Sequence, residues 1–151
     1  MSFDTPAGTH GARQPSGPFF RWMNKVMSRR LRRRGGRMMG FNALILTTVG
    51  AKSGDKRTNP VGWFPGQDGS CLIVASAAGA ARNPAWYYNI AAHPNEVEVE
   101  IKGRTIPVTA EQLHGAERDE AWQQITAAAP RFAQYEQKTD RLLPVIRLVS
   151  R

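Results

Sequence analysis

The stretch "AKSGDKRTNP", residues 51–60, places Lys52, Lys56 and Arg57 around a glycine, between the apolar runs "ALILTTVG" and "VGWF". Glycine tolerates positive backbone angles, so consecutive N–H groups of such a turn can point into one concavity. Lys52, Ser53, Arg57 and Thr58 would stand beside it, and arginine offers a planar fork that meets phosphate in two bonds at once. The chemistry within reach is the binding of an anion. An ordinary hairpin turn with solvated charges is the competing reading, and spacing alone does not separate the two.

A second stretch, "ASAAGAARNPAWYYN" over residues 75–89, leaves an apolar run through small residues and enters a segment carrying Trp86, Tyr87 and Tyr88. Small residues let backbone approach a planar ligand, and aromatic rings can wall it. A tight strand-to-helix connection with core aromatics would read the same way.

Other chemistry-bearing residues are scattered. His10, His93 and His114 lack the spacing of metal ligands, and no metal site is expected. Glu96, Glu98 and Glu100 alternate along one strand face, as solvated side chains do. Cys71 is the only cysteine, so the chain forms no internal disulfide and no cysteine-based zinc site; it reads as a small core residue. No catalytic triad or carboxylate pair is visible. Neither a strand followed by G-x-G-x-x-G nor G-x-x-x-x-G-K-[ST] occurs, which excludes nucleotide folds built on those loops.

The 151 residues suit one domain, and 21 basic against 12 acidic side chains, a formal charge of +9, favour an anionic partner. No apolar run approaches the length of a membrane span, and the first residues lack a secretion pattern. Residues 1–17, rich in Gly, Pro, Ser and Thr, are expected as a flexible tail outside the fold. Residues 18–34 alternate Phe19, Trp22, Met23, Val26, Met27 and Leu31 with arginines at helical spacing. They form a basic amphipathic helix, either docked on the body of the protein or settled on an anionic membrane surface.

Strands follow at 43–50, 59–64 and 70–76, the last two joined by the turn chemistry of "PGQDG", and short loops imply antiparallel pairing. A helix is expected over 83–94, with Asn83 as its N-cap, Pro84 at its first position and Pro94 as its stop. "EVEVEIKGRTIPVTA" reads as a hairpin turning at Lys102 and Gly103. Residues 115–130 are helical, "RFAQYEQKTDR" is a second short helix and "LLPVIRLVS" a closing strand. Six strands, hairpin-linked, with one helix interposed and others at the ends, fit a small closed or split barrel, an α+β fold that is mainly β.

"LILTTVGAKSGDKRTNPV", "VASAAGAARNPAWYYNIAAHPNEVEVEI", "ERDEAW" and "PRFAQYEQKTDRLLPVIRL" together resemble the deazaflavin-dependent nitroreductase and quinone reductase family of actinobacteria, over residues 18–151. The resemblance implies a split β-barrel that binds reduced coenzyme F420, an 8-hydroxy-5-deazaflavin whose tail carries a phosphate and glutamates. Ala51, Lys52, Ser53, Arg57, Thr58 and Asn59 would hold that tail. Val74, Ala75, Ser76, Ala77, Ala85, Trp86, Tyr87, Tyr88 and Asn89 would line the ring. Hydride would pass to a quinone, nitro compound or conjugated enone, with Ser76 as donor to the oxygen that gains charge and Tyr135 positioning the acceptor or delivering a proton. Gly62, Phe132 and Tyr135 would face the acceptor. The family pattern has tyrosines where Gly62 and Phe132 stand and a lysine where Ala77 stands, so two hydroxyls and one cation are missing there.

A barrel that binds FMN, or that sequesters a cofactor without turnover, is the alternative; a nucleic-acid module is not expected, since no such motif accompanies the charge. The single cysteine and the lack of a secretion pattern are compatible with a reducing cytoplasm, where the protein is expected, peripheral to the inner face of the cell membrane if residues 18–34 bind lipid.

Overall fold

The computed structural model describes residues 3–12, 17–34, 37–38 and 41–151. Its elements, in order, are helix α1 (Gly17–Arg34), strands β1 (Arg37–Met38), β2 (Phe41–Val49), β3 (Lys56–Gly62), β4 (Phe64–Pro65) and β5 (Cys71–Val74), helix α2 (Ala85–Ala92), strands β6 (Val97–Ile101) and β7 (Arg104–Gln112), helices α3 (Gly115–Ala128) and α4 (Arg131–Lys138), and strand β8 (Val145–Ser150).

Every strand pairing is antiparallel, and the sheet path runs β1-β2-β6-β7-β8-β5-β4, with β3 on the other side of β2. Lys56–Pro65 is in effect one strand broken at Trp63. Its first part pairs with β2 and its last part with β5, so the far ends of the sheet are joined through a single bent segment. That connection curls the sheet into the split barrel expected from the sequence. The strand 70–76 meets the end of its predecessor in the short β4–β5 hairpin, as expected, and its other edge pairs with β8. The break at Trp63, whose N–H donates to Asn42 O at 2.9 Å, carries the chain from one sheet edge to the other.

Period-two alternation divides the interior. Ile73 of β5, with Ile146 and Leu148 of β8, enters a core shared with Leu44, Leu46, Val97, Val99 and Val108, and α2 plugs that core with Trp86, Tyr87 and Ile90. Leu72, Val74 and Val145 face the other way, under α3 and α4, against Trp122, Ile125 and Phe132. The β6–β7 hairpin turns at Lys102 (φ 51°) and Gly103 (φ 80°), two left-handed residues as a two-residue turn requires. Helix α1 lies against β2 and β3, on the face where Ala43 and Ile45 form a small cluster of their own. Trp22 and Met23, assigned to an apolar packing face, are 59% and 41% exposed.

Two expectations are corrected. Within the segment 1–17 left outside the fold, residues 3–12 pack on the barrel: Phe3 meets the Tyr87 ring edge-on at 5.9 Å, Gly8 N–H donates to Ala81 O at 2.7 Å, and Ala12 bridges Ala80. Backbone bonding and small residues fasten this strap, so it shows no hydrophobic periodicity. Asn83 is not the cap of α2. Pro84 takes that position, and the Asn83 amide is buried among long-range partners.

Candidate functional site

The bend between β2 and β3 is built mostly from its own backbone. Gly50 N–H donates to Asp55 O (2.7 Å), Gly54 N–H to Gly50 O (3.0 Å) and Asp55 N–H to Ser53 Oγ (3.2 Å). Gly54 sits at φ 74°, and a Cβ there would meet nothing within 4 Å, so the turn needs glycine for its backbone angle alone. These bonds consume amides expected to form a continuous anion concavity. The charges remain: Ala51, Lys52, Ser53, Lys56, Arg57 and Thr58 are exposed, and among the described residues Lys52, Lys56 and Arg57 enter no ion pair.

One bond ties this bend to α2. Ala51 N–H donates to Asn89 Oδ1 at 3.0 Å, and Asn89 Nδ2 donates to Thr48 Oγ1 at 3.2 Å. Arg57 stands directly across the β2–β3 ladder from Thr48, and Asn59 across from Leu46, so both side chains share the face that carries Thr48 and Asn89. Thr58 and Gly62 alternate onto the opposite face, where Ala43 and Ile45 lie. Lys52, Arg57, Asn59 and Asn89 are thus brought to one end of the barrel, and Thr58 and Gly62 are turned from it.

Beyond β5 the chain makes a left-handed turn. Gly79 N–H donates to Ser76 O (2.9 Å) and Ala80 N–H to Ala77 O (3.1 Å), with φ of 46°, 55° and 83° at Ala77, Ala78 and Gly79. Two alanines held there cost roughly 1–2 kcal/mol each. At Gly79 a Cβ would lie 2.8 Å from Tyr135 O and 3.0 Å from Lys138 Cβ, so α4 packs directly on this turn.

What holds the turn is Arg141, 4% exposed. Its Nε donates to Ala80 O (3.1 Å), Nη1 to Ala75 O (2.9 Å) and Asn83 Oδ1 (2.6 Å), and Nη2 to Ser76 O (2.8 Å) and Ala80 O (3.0 Å). All five guanidinium N–H groups are met by neutral oxygens. Burial pulls its pKa down from the ordinary arginine value. Asn83 Nδ2 continues to Thr5 O (3.0 Å), Gln112 Nε2 donates to Thr5 Oγ1 (2.7 Å), and the Tyr87 hydroxyl donates to Gln112 Oε1 (2.6 Å) while accepting from Thr5 N–H (3.2 Å). Next to Arg141, the Asp140 carboxylate accepts from Thr9 N–H (2.8 Å) and Thr9 Oγ1 (2.6 Å), and these bonds hold its pKa down to about 2.

The remaining sequence candidates divide by depth. Ala85 and Tyr88 are exposed, Ser76, Ala77 and Tyr135 half-buried. The Ser76 hydroxyl makes no cap bond to the turn that it precedes. Val74, Ala75, Trp86 and Tyr87 are buried, and burial raises the Tyr87 pKa. Phe132 is sunk against Phe64 at 5.6 Å, with Tyr135 edge-on to it at 5.6 Å and Lys138 Nζ over the Tyr135 ring at 5.7 Å. Arg141, Asn83, Thr5 and Asp140 had no assigned site role in the sequence; a lone arginine ahead of the apolar "LLPVI" was the one signal available.

With this geometry in hand, the profile of a family described as F420H(2)-dependent quinone reductase matches residues 19–150. An F420H(2)-dependent quinone reductase of Mycobacterium tuberculosis is 36% identical over 113 residues, covering 72% of this chain and 74% of that protein. A solved F420-H2 dependent reductase, FDR-A, superposes with a TM-score of 0.63 at 39% identity, covering 70% of this chain and 92% of that one. HutZ, a heme storage protein of Vibrio cholerae, shares the fold alone, with a TM-score of 0.51 at 14% identity over 85% of this chain and 90% of that one.

Proposed function

Since the chain belongs to the F420H(2)-dependent quinone reductase family, whose cofactor is coenzyme F420, we propose that the bend at 51–59 and the loop at 74–89 hold that cofactor by its tail and its ring. The observation that carries this reading is the hydrogen bond from Ala51 to Asn89, which fastens the electropositive bend to the helix that the ring loop feeds. Cations without carboxylate partners, aligned by the register of Arg57 with Thr48, suit a tail of phosphate and carboxylates.

When bound, the reduced deazaflavin supplies a hydride from its C5. The chain's share is to fix the ring, seat an acceptor against it at about 3–3.5 Å and keep water out. Lys52, Arg57 and Asn59 anchor the tail, while Ala77, Ala85 and Tyr88 offer small or aromatic surface to the ring. Ser76, which precedes the turn, and Tyr135, on the helix packed against it, are the groups for acceptor contact. Beyond quinones, nitro compounds and conjugated enones are proposed acceptors, because each gains negative charge on oxygen as hydride arrives.

Titration of the full chain with F420 and with FMN, followed by turnover with a quinone, a nitroarene and a cyclic enone, tests the reading. F420 binding that tightens as the glutamate tail lengthens is expected. A preference for FMN would favour the alternative barrel chemistry and contradict the assignment of the bend.

Among the described residues no helix is long and apolar enough to cross a membrane. Exposed Trp22 and Met23 beside exposed Arg21, Lys25, Arg29 and Arg30 favour peripheral contact of α1 with anionic lipid. Sedimentation that is unchanged by anionic vesicles at low salt would remove that second reading.

A further inference from the structure

Arg141 does more geometrically than fill a cavity. The carbonyl of Ala75 and the N–H of Ser76 belong to one trans peptide unit and point in opposite directions, as do the carbonyl of Ser76 and the N–H of Ala77. Both carbonyls accept from Arg141. Both N–H groups therefore point away from it. Ser76 is right-handed (φ −82°, ψ −34°) and Ala77 left-handed (φ 46°), the succession that turns neighbouring N–H groups toward a common point. Among the described residues neither N–H meets a backbone acceptor. The guanidinium behind them has only neutral partners, so its charge is not cancelled and polarises the two peptide units that it binds.

We propose that Arg141 is the positioning residue of the reductive site: it aims and strengthens the N–H groups of Ser76 and Ala77 as paired donors to an oxygen that carries negative charge during hydride transfer. The inference rests on the assignment of the 74–89 loop to the cofactor ring. Two electrons and one proton reach the acceptor as hydride and a second proton follows from solvent, so that a quinone leaves as quinol. The oxygen served belongs either to a carbonyl of the cofactor ring or to the acceptor. Both are conjugated oxygens whose charge grows or spreads during the reaction, and donors fixed beforehand stabilise that charge without reorganisation. The Ser76 hydroxyl is not needed for this.

The test uses the full chain and three variants. Arg141→Lys keeps a charge but loses the fork. Asn83→Asp places a carboxylate on Arg141 and cancels its charge, and Asn83→Ala gives up the same bond to Thr5 without adding charge. Oxidised F420 affinity is read by fluorescence, kcat and KM with a water-soluble benzoquinone, and the apo protein by the amide nitrogen signals of Ser76 and Ala77. In Asn83→Asp, relative to Asn83→Ala, either affinity or kcat is expected to fall at least tenfold. Lost affinity assigns the oxygen to the cofactor; lost kcat at unchanged affinity and KM assigns it to the acceptor.

In the apo protein, Arg141→Lys is expected to shift both amide nitrogen signals upfield as the carbonyl bonds are lost. Unmoved amide signals in a folded Arg141→Lys protein would overturn the proposal, as would parity of the two Asn83 variants in both affinity and kcat. Failure of the wild-type chain to bind F420 would instead overturn the assignment of the loop, with the amide signals still reporting on Arg141.

Discussion

The bend after β2 and the loop after β5 both reach α2, yet they are held in opposite ways. The bend closes on itself through bonds among residues 50–55, leaves its cations in solvent, and touches α2 at a single amide. The loop spends its carbonyls on a buried arginine more than fifty residues away, and the strap formed by residues 3–12 bonds to it at Gly79, Ala81 and Asn83. A surface that grips a charged tail can rely on local geometry and mobile side chains. A surface that must keep a ring and an acceptor in register needs a frame that does not yield, and here that frame also carries the strain of two left-handed alanines.

The sharpest way to break the contrast is to remove the arginine. Arg141→Met is expected to cost about 3 kcal/mol or more in denaturant unfolding, because each buried carbonyl left without a donor costs about 1–3 kcal/mol. Lys52→Ala, at an exposed position, should stay within about 0.5 kcal/mol of wild type. Equal stability of the two variants would erase the distinction.

Each region has a left-handed glycine, Gly54 in the bend and Gly79 in the loop, and these give the next largest difference. Gly79→Ala combines the cost of φ 83° with a contact of 2.8 Å to Tyr135 O, whereas Gly54→Ala at φ 74° meets no neighbour. About 1 kcal/mol is expected at Gly54 from conformation alone, and about 2 kcal/mol or more at Gly79, read from unfolding midpoints.

Binding should rank the regions the other way for the tail. Lys52→Ala and Arg57→Ala are each expected to weaken F420 about tenfold, since a charge-assisted bond contributes about 1.5 kcal/mol or more. Thr58→Ala, on the opposite strand face, should change affinity less than about twofold. Fluorescence titration of the three variants checks this, and an effect at Thr58 equal to that at Arg57 would contradict the register argument.

The smallest effect concerns the strap. Asp140, at a pKa of about 2 against an ordinary 3.8, is depressed by the bonds from Thr9, so its contribution is fully present above the unfolded value and disappears as pH falls through the folded one. Exchange protection of the Thr9 and His10 amides, corrected for intrinsic rates, should approach that of Asp140→Asn between about pH 4 and about 2. Identical protection in both proteins at neutral pH would show that the carboxylate does not latch the strap.

The same contrast explains what was legible in the sequence. Cys71–Val74 announces itself as a short apolar run, Val97–Ile101 by alternation, and the bend by a glycine among cations, because each signal is written within about ten residues. The barrel followed from hairpins and motif order. The bent passage at Trp63, the face on which Gly62 lies, and the roles of Asn83 and Arg141 depend on partners far along the chain. The strap was missed for a related reason: Gly8, Gly11 and Thr5 act through backbone and close approach, and composition records those only as a flexible tail.

The central claim is that bend and loop hold one molecule together at one end of the barrel. Amide hydrogen exchange of the full chain, measured with and without F420, tests it most directly. Slowed exchange in residues 51–59 and 75–89 at the same cofactor concentration is the predicted result; slowing confined to one of the two segments, with the other at its apo rate under saturation, would contradict it.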